Sequence, residues 1–200
     1  MYRFAVALVA GVLAFGGAAQ AGKFNKVLSI GDKAPTYEGL AGTDDKQHSS
    51  KTDLTKDVAV ICITCNHCPV AIAYEDRIID FVKKYGDKID FVAINVNNTP
   101  ADRLDKMKER AKEKGFNFTY LYDPSQKIAS SLGASVTPEF FVLKKDGDAY
   151  KVVYMGSLDD NQKRPTKSYL ADAVDAALAG KTPAVQETRA FGCGVQYERR

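Results

Sequence analysis

The sequence predicts an α/β domain with a central mixed sheet flanked by helices, and three observations carry that reading. Apolar runs of strand length, Asp57 to Ile63 and Ile89 to Val96, alternate with stretches whose apolar residues recur at helical spacing. Helix signals fall where the alternation needs them, with a run that begins near Pro69 and stops at Gly86, and Thr99-Pro100-Ala101-Asp102 opening another. Two later runs, Phe140 to Leu143 and Tyr150 to Tyr154, flank Lys144-Lys145-Asp146-Gly147-Asp148 and predict an antiparallel hairpin. Alternating strand and helix units imply parallel strands joined by right-handed crossovers, and the hairpin makes the sheet mixed.

Residues 1–21 read as a processing segment. Arg3 supplies a positive n-region, Phe4 to Phe15 an apolar stretch, and Ala19-Gln20-Ala21 a small-residue cleavage site. The expectation is a signal peptide and a mature chain that is periplasmic or secreted. The apolar stretch is short for a membrane span, and no cysteine follows the cleavage site to make a lipoprotein. Residues 22–200, 179 in all, suit one domain with a full core.

Along that domain, Gly22 to Gly42 forms an N-terminal stretch and Thr43 to Lys56 a polar, turn-rich segment. Asp57 to Ile63 reads as a buried strand. Val70 to Tyr85 places Ala71, Tyr74, Ile78, Phe81 and Val82 on one helical face. After the strand Ile89 to Val96, Thr99 serves as N-cap, Pro100 as first helical residue and Asp102 as the acid of the first turn, with Leu104, Met107 and Ala111 inward. Phe118 to Tyr122 is a short strand, and Asp123-Pro124-Ser125-Gln126 caps a brief helix ending at Gly133. Beyond the hairpin, a last helix from about Thr166 to Ala179 turns Leu170, Val174 and Leu178 inward and stops at Gly180. The tail, Lys181 to Arg200, is polar but carries Phe191, Cys193 and Tyr197, which predicts that it lies against the domain.

Removing residues 1–21 removes one charge, Arg3, and leaves a formal net charge of +2. Such a balance gives no support to nucleic acid or an anionic membrane as a partner. The cationic stretch Lys106 to Lys114 also contains Glu109 and Glu113 and reads as the solvent side of a helix. No cofactor or resident metal is expected.

Chemistry concentrates at Cys65-Asn66-His67-Cys68, where a strand gives way to a helix. A helix N-terminus stabilises a thiolate, and two residues of spacing let a partner thiol close a disulfide. Cys62, Cys65 and Cys68 crowd into seven residues, whereas a structural disulfide gains most by closing a long loop. On these grounds Cys65 is expected to be the exposed, low-pKa nucleophile and Cys68 the resolving thiol, with His67 as imidazolium stabilising the thiolate. Cys62 shares a strand face with Val60 and Thr64 and is expected to be a buried, unreactive thiol.

The strand-CxxC-helix order is thioredoxin-like, Ile30-Gly31-Asp32-Lys33-Ala34-Pro35 resembles the entry sequence of peroxiredoxins and periplasmic thioredoxin-like proteins, and Thr64-Cys65-Asn66-His67-Cys68-Pro69, Thr137-Pro138-Glu139 and the late Gly192-Cys193 resemble the redoxin family. These are bacterial thioredoxin-like proteins of the peroxiredoxin and thiol-specific antioxidant clan. The resemblance covers essentially the whole mature chain, but the tail has Gly194-Val195-Gln196-Tyr197 where the family usually ends in a more basic, Trp-containing sequence. It implies a thioredoxin-like fold and a cis Pro138 facing the CxxC, with the Thr137 backbone free to pair with an incoming peptide. It also implies a third redox role or a disulfide for Cys193, the alternative being a tail staple.

The function so implied is exported thiol–disulfide exchange, of undetermined direction. Its partners would be protein thiols and disulfides of exported proteins and an upstream reductant or oxidant. Two other functions compete. A peroxidase of the peroxiredoxin type requires a P-x-x-x-T-x-x-C arrangement, whereas here Thr64 directly precedes Cys65 and no proline stands at the required distance. Copper delivery would draw on Cys62, Cys65, Cys68 and His67 as soft ligands, with His48 as the other histidine.

Overall fold

The computed structural model describes residues 22–198, so the expected signal peptide lies outside the described residues. Among the described residues the first regular elements are a hairpin of β1 (Glu38–Gly42) and β2 (Gln47–Ser49) and a single helical turn, α1 (Ser50–Asp53), whose N-cap Ser49 accepts the Thr52 N–H. There follow β3 (Val58–Thr64), α2 (Pro69–Tyr85), β4 (Asp90–Asn95), a 3-10 turn (Pro100–Asp102), α3 (Leu104–Lys114), β5 (Thr119–Tyr122) and α4 (Lys127–Leu132). The last part comprises β6 (Val136–Thr137), β7 (Glu139–Asp146), β8 (Ala149–Gly156), α5 (Tyr169–Leu178) and β9 (Cys193–Gly194).

Seven strands form one mixed sheet in the order β2-β1-β5-β4-β3-β7-β8. The centre is parallel, β3 with β4 and β4 with β5, while the flanking pairs are antiparallel. The unbroken aliphatic run of β3 follows from its central position, because both of its faces are buried. Val58, Val60 and Cys62 face a core built with Tyr74 and Ile78 of α2, Met107 of α3 and Leu170 and Val174 of α5. Ala59, Ile61 and Ile63 face a second core with Ile128 and Leu132 of α4, Leu54 and Tyr37. Each such large aliphatic side chain contributes about 1.5–3 kcal/mol by leaving water. Cys62 is thus a core residue, and burial pushes its thiol well above the usual range.

Three elements depart from the sequence reading, each for a local reason. The polar segment Thr43 to Lys56 supplies β2 and α1, because an edge strand of three residues draws its stability from pairing with β1 and needs no apolar face. The helix expected from Thr99 is interrupted, since the chain turns extended at Arg103 (φ −68°, ψ 157°) and α3 starts at Leu104. Asp102 is drawn inward as a buried carboxylate instead of capping a solvent-facing turn. The last helix begins at Tyr169 because Asp160 accepts the backbone N–H groups of Thr166 (2.8 Å) and Lys167 (3.1 Å) and holds them in a loop. Those bonds, with the Thr166 hydroxyl foremost, lower the Asp160 carboxyl to about 2.

A buried carboxylate ties α2 to the segment after β8. Asp159 accepts the Tyr74 hydroxyl and an Arg77 guanidinium N–H, both at 2.6 Å. Asp159→Ala leaves the buried Tyr74 hydroxyl without its acceptor, and the expected loss is about 3 kcal/mol. Urea denaturation checks this through a lower midpoint at unchanged slope; a loss below about 0.5 kcal/mol, the usual range for an inconsequential surface change, contradicts it.

Candidate active site

The sequence-predicted residues meet at the carboxyl ends of the parallel strands, where open α/β sheets place their ligand crevices. The loop after β3 carries the CxxC, and the loop after β4 carries Asp102. On the other side of β3, the pairing of Ile63 with Glu139 sets Thr137 and Pro138 beside Thr64 and Cys65. The Thr137–Pro138 peptide bond is cis.

Pro69 is the first residue of α2, so its N-cap is Cys68, whose Sγ accepts the Ala71 N–H at 3.5 Å. Cys68 is disulfide-bonded to Cys193 of the tail, with Cα atoms 5.8 Å apart, while Cys62 and Cys65 are free. This corrects the expectation for Cys65. It is only 3% exposed, and the helix's first turn faces Cys68. Burial pushes the Cys65 thiol up, and the negative charge of Asp102 adds to that. The Thr137 hydroxyl and the backbone N–H groups of Cys68 and His67 favour the thiolate but do not outweigh burial. The Cys65 Sγ lies 3.2 Å from Thr137 Oγ1. The Cys68 Sγ lies 3.2 Å from the Thr137 carbonyl oxygen, a contact that becomes S–H donation once the disulfide is reduced.

The two residues between the cysteines are held by Asp102, which is fully buried. Its carboxylate accepts the Asn66 N–H (2.7 Å), the Thr99 hydroxyl (2.6 Å) and the Asn95 amide (3.2 Å), and it pairs with His67 Nδ1. Asn66 in turn accepts the Tyr120 hydroxyl at 2.9 Å and donates to the Ala101 carbonyl at 2.9 Å. A thiol, an imidazole and a carboxylate are thereby grouped, the ligand atoms of Cys65, His67 and Asp102 lying within 4.8 Å of one another. The arrangement holds the imidazole near the Cys65 sulfur through its Nδ1 bond to Asp102.

Cys65, His67, Cys68, Thr137, Pro138 and Cys193 are therefore brought together. Cys62 and His48 are not. His48 is bound to Asp53 (2.9 Å) and Asp44 (3.0 Å) beside β2. Burial draws its imidazole down, but these two carboxylates outweigh burial and raise it. Of the ligands on which copper delivery would draw, Cys65, His67 and Cys68 lie in the site, whereas Cys62 and His48 do not. Asp102, Asn95 and Tyr120 escaped the sequence reading. Asn95 left a signal, a lone amide closing the apolar run Phe91 to Ile94, whereas Asp102 was hidden by fitting a helix start.

The Redoxin family model matches residues 29–174. The chain belongs to the Redoxin family. The match ends before the tail that carries Cys193. The fold is thioredoxin-like, and solved structures of two bacterial proteins resemble it over most of their length. An uncharacterized conserved protein from Geobacillus kaustophilus is 28% identical, with a TM-score of 0.80 over 88% of this chain and 96% of that one. A hypothetical protein from Sinorhizobium meliloti 1021 is 26% identical, with a TM-score of 0.79 over 88% and 98%. The exposed lipoprotein thioredoxin of Streptococcus pneumoniae strain TIGR4 shares the fold at 19% identity, with a TM-score of 0.55 over 73% and 99%. No curated relative matches the chain.

With the Cys68–Cys193 disulfide intact, Cys65 should alkylate slowly at neutral pH, with a titration midpoint above the ~8.5 of a free thiol. Thr137→Val removes an interaction that favours the thiolate and should move the midpoint higher. Mass-spectrometric rates of iodoacetamide labelling across pH check this, and a midpoint below about 7 contradicts it.

Proposed function

We propose that the protein is an exported thiol–disulfide oxidoreductase whose redox groups are the Cys65/Cys68 pair and Cys193. The observation that carries this reading is the convergence of three cysteines on one residue, Thr137, next to a cis proline. In the exchange, a thiolate of the Cys65/Cys68 pair attacks a partner's disulfide and forms a mixed disulfide. The second thiol then attacks the enzyme sulfur of that bond, which closes Cys65–Cys68 and releases the partner as a dithiol. Two electrons pass to the partner, and the reverse sequence oxidises it. His67, held by Asp102, places its imidazole near the reacting sulfurs. Export rests on the leader pattern of residues 1–21, and the partners are thiols and disulfides of proteins outside the cytoplasm.

Exchange is favoured over peroxide reduction because Thr64 directly precedes Cys65 and no proline stands at the spacing that the peroxidase motif requires. Copper transfer is disfavoured because Cys68 is bonded to Cys193, which leaves Cys65 as the free thiol of the site.

The full-length protein should catalyse reduction of insulin disulfides by dithiothreitol. Cys65→Ser and Cys68→Ser should each abolish turnover, and His67→Ala should shift the reduction potential while leaving turnover measurable. No rate above that of dithiothreitol alone, combined with rapid peroxide consumption and a sulfenic acid on Cys65, would replace this reading by a peroxidase.

A further inference from the structure

The tail is placed as a bound peptide would be. Its strand β9 pairs antiparallel with β6, Thr137 opposite Cys193 and Val136 opposite Gly194. Val195 extends the ladder by donating its N–H to the Ser135 carbonyl at 3.0 Å. Its flanks are seated too. Phe191 packs against the Tyr74 ring at 6.0 Å between centroids, and the Tyr197 hydroxyl donates to the Ala134 carbonyl at 2.7 Å. The cysteine so presented is bonded to Cys68. Gly192 meets Thr137 so closely that a Cβ on it would run into the Thr137 carbonyl group, which is backbone and cannot swing aside.

We propose that residues 191–194 are a substrate built into the chain, filling in cis the β-edge site at which partner proteins dock. This rests on the reading of the site as a thiol–disulfide exchanger. It assigns the substrate class, an extended peptide whose cysteine is preceded by glycine and, one residue further back, by an aromatic. It also reverses the roles expected from the sequence: Cys68 carries the partner and Cys65 resolves it.

The step needs no outside oxidant. The Cys65 thiolate attacks the Cys68 sulfur, the Cys65–Cys68 bond forms as Cys68–Cys193 breaks, and Cys193 leaves as a thiolate that takes up a proton. While the tail is docked, the Thr137 hydroxyl touches both sides of the exchange, lying 3.5 Å from the Cys193 carbonyl and 3.2 Å from the Cys65 sulfur, where it favours the attacking thiolate. A partner cysteine then enters the vacated edge and reacts at Cys68 as Cys193 did.

The test uses full-length protein and the peptide acetyl-Ala-Phe-Gly-Cys-Gly-Val-Gln-amide, activated as its mixed disulfide with thionitrobenzoate. The reduced double variant Cys65→Ser, Cys193→Ser should release thionitrobenzoate and hold the peptide on Cys68. The double variant Cys68→Ser, Cys193→Ser should react at least about tenfold more slowly. A peptide with alanine in place of the first glycine should also react about tenfold more slowly with the first variant, as crowding against fixed backbone dictates. Both peptides meet the same protein, so a folding defect cannot create that selectivity. In the otherwise unaltered chain, Gly192→Ala should lower the equilibrium constant for closing Cys68–Cys193 in a glutathione buffer by about tenfold. Faster capture on Cys65, equal rates for the two peptides, or an unchanged Cys68–Cys193 equilibrium would each overturn the proposal. If every variant is inert even to dithiobis(nitrobenzoate), the exchange reading itself fails. Reaction with that small disulfide, but without selectivity between peptides, defeats the substrate assignment alone.

Discussion

Thr137 is the point on which the site depends, because each of the three site sulfurs is positioned against a different part of it. Its hydroxyl faces Cys65, its carbonyl faces Cys68, and its place in the β6–β9 ladder faces Cys193. The residue is fully buried and has little freedom to move. One side is set by the register of β7 on β3, which begins at Glu139. The other is set by the Glu139 carboxylate, which accepts the N–H groups of Ser135 (2.8 Å) and Val136 (3.4 Å). Burial raises the Glu139 carboxyl more than those donors lower it, so this anchor is retained for its geometry at some electrostatic cost.

The second anchor, Asp102, acts on the opposite side of the cysteines. A carboxylate taken wholly out of water is costly unless its lone pairs are satisfied, and four groups from three parts of the chain satisfy it: Asn66, His67, Asn95 and Thr99. Sequence order, packing and chemistry meet here. The 3-10 turn that breaks the expected helix is what brings the carboxylate down to the Asn66 amide, and the same carboxylate holds the imidazole beside Cys65. A site prepared in this way needs little rearrangement when a sulfur changes partner.

Much of this was legible in the sequence because it depends on short-range pattern. The aliphatic run of β3, the Pro69 helix start, the CxxC and the Thr-Pro each announce themselves locally, and the burial of Cys62 follows from strand alternation. What escaped depends on contacts between distant segments. Asp102 fits a helix start perfectly well, and only its contact with Asn66 shows otherwise. The polar edge strand β2 has no apolar face to betray it. The exposure expected for Cys65 failed because it packs in a cluster with Cys68 and Ala71, against which Cys193 is brought from 125 residues beyond Cys68. The sequence nevertheless held one overlooked clue: a proline at the first helical position makes the residue before it, Cys68, the N-cap.

The central claim is that Cys68–Cys193 takes part in exchange and does not serve as a staple. The direct measurement is disulfide mapping by peptide mass spectrometry after equilibrating the full-length protein across a series of defined redox potentials. The account predicts that Cys68–Cys193 and Cys65–Cys68 coexist in the singly oxidised protein, with a midpoint above about −300 mV, the level below which structural disulfides of secreted proteins resist reduction. It also predicts that Cys62 stays a thiol throughout. A lone Cys68–Cys193 bond persisting below that potential, with no Cys65–Cys68 form at any point in the series, would contradict it.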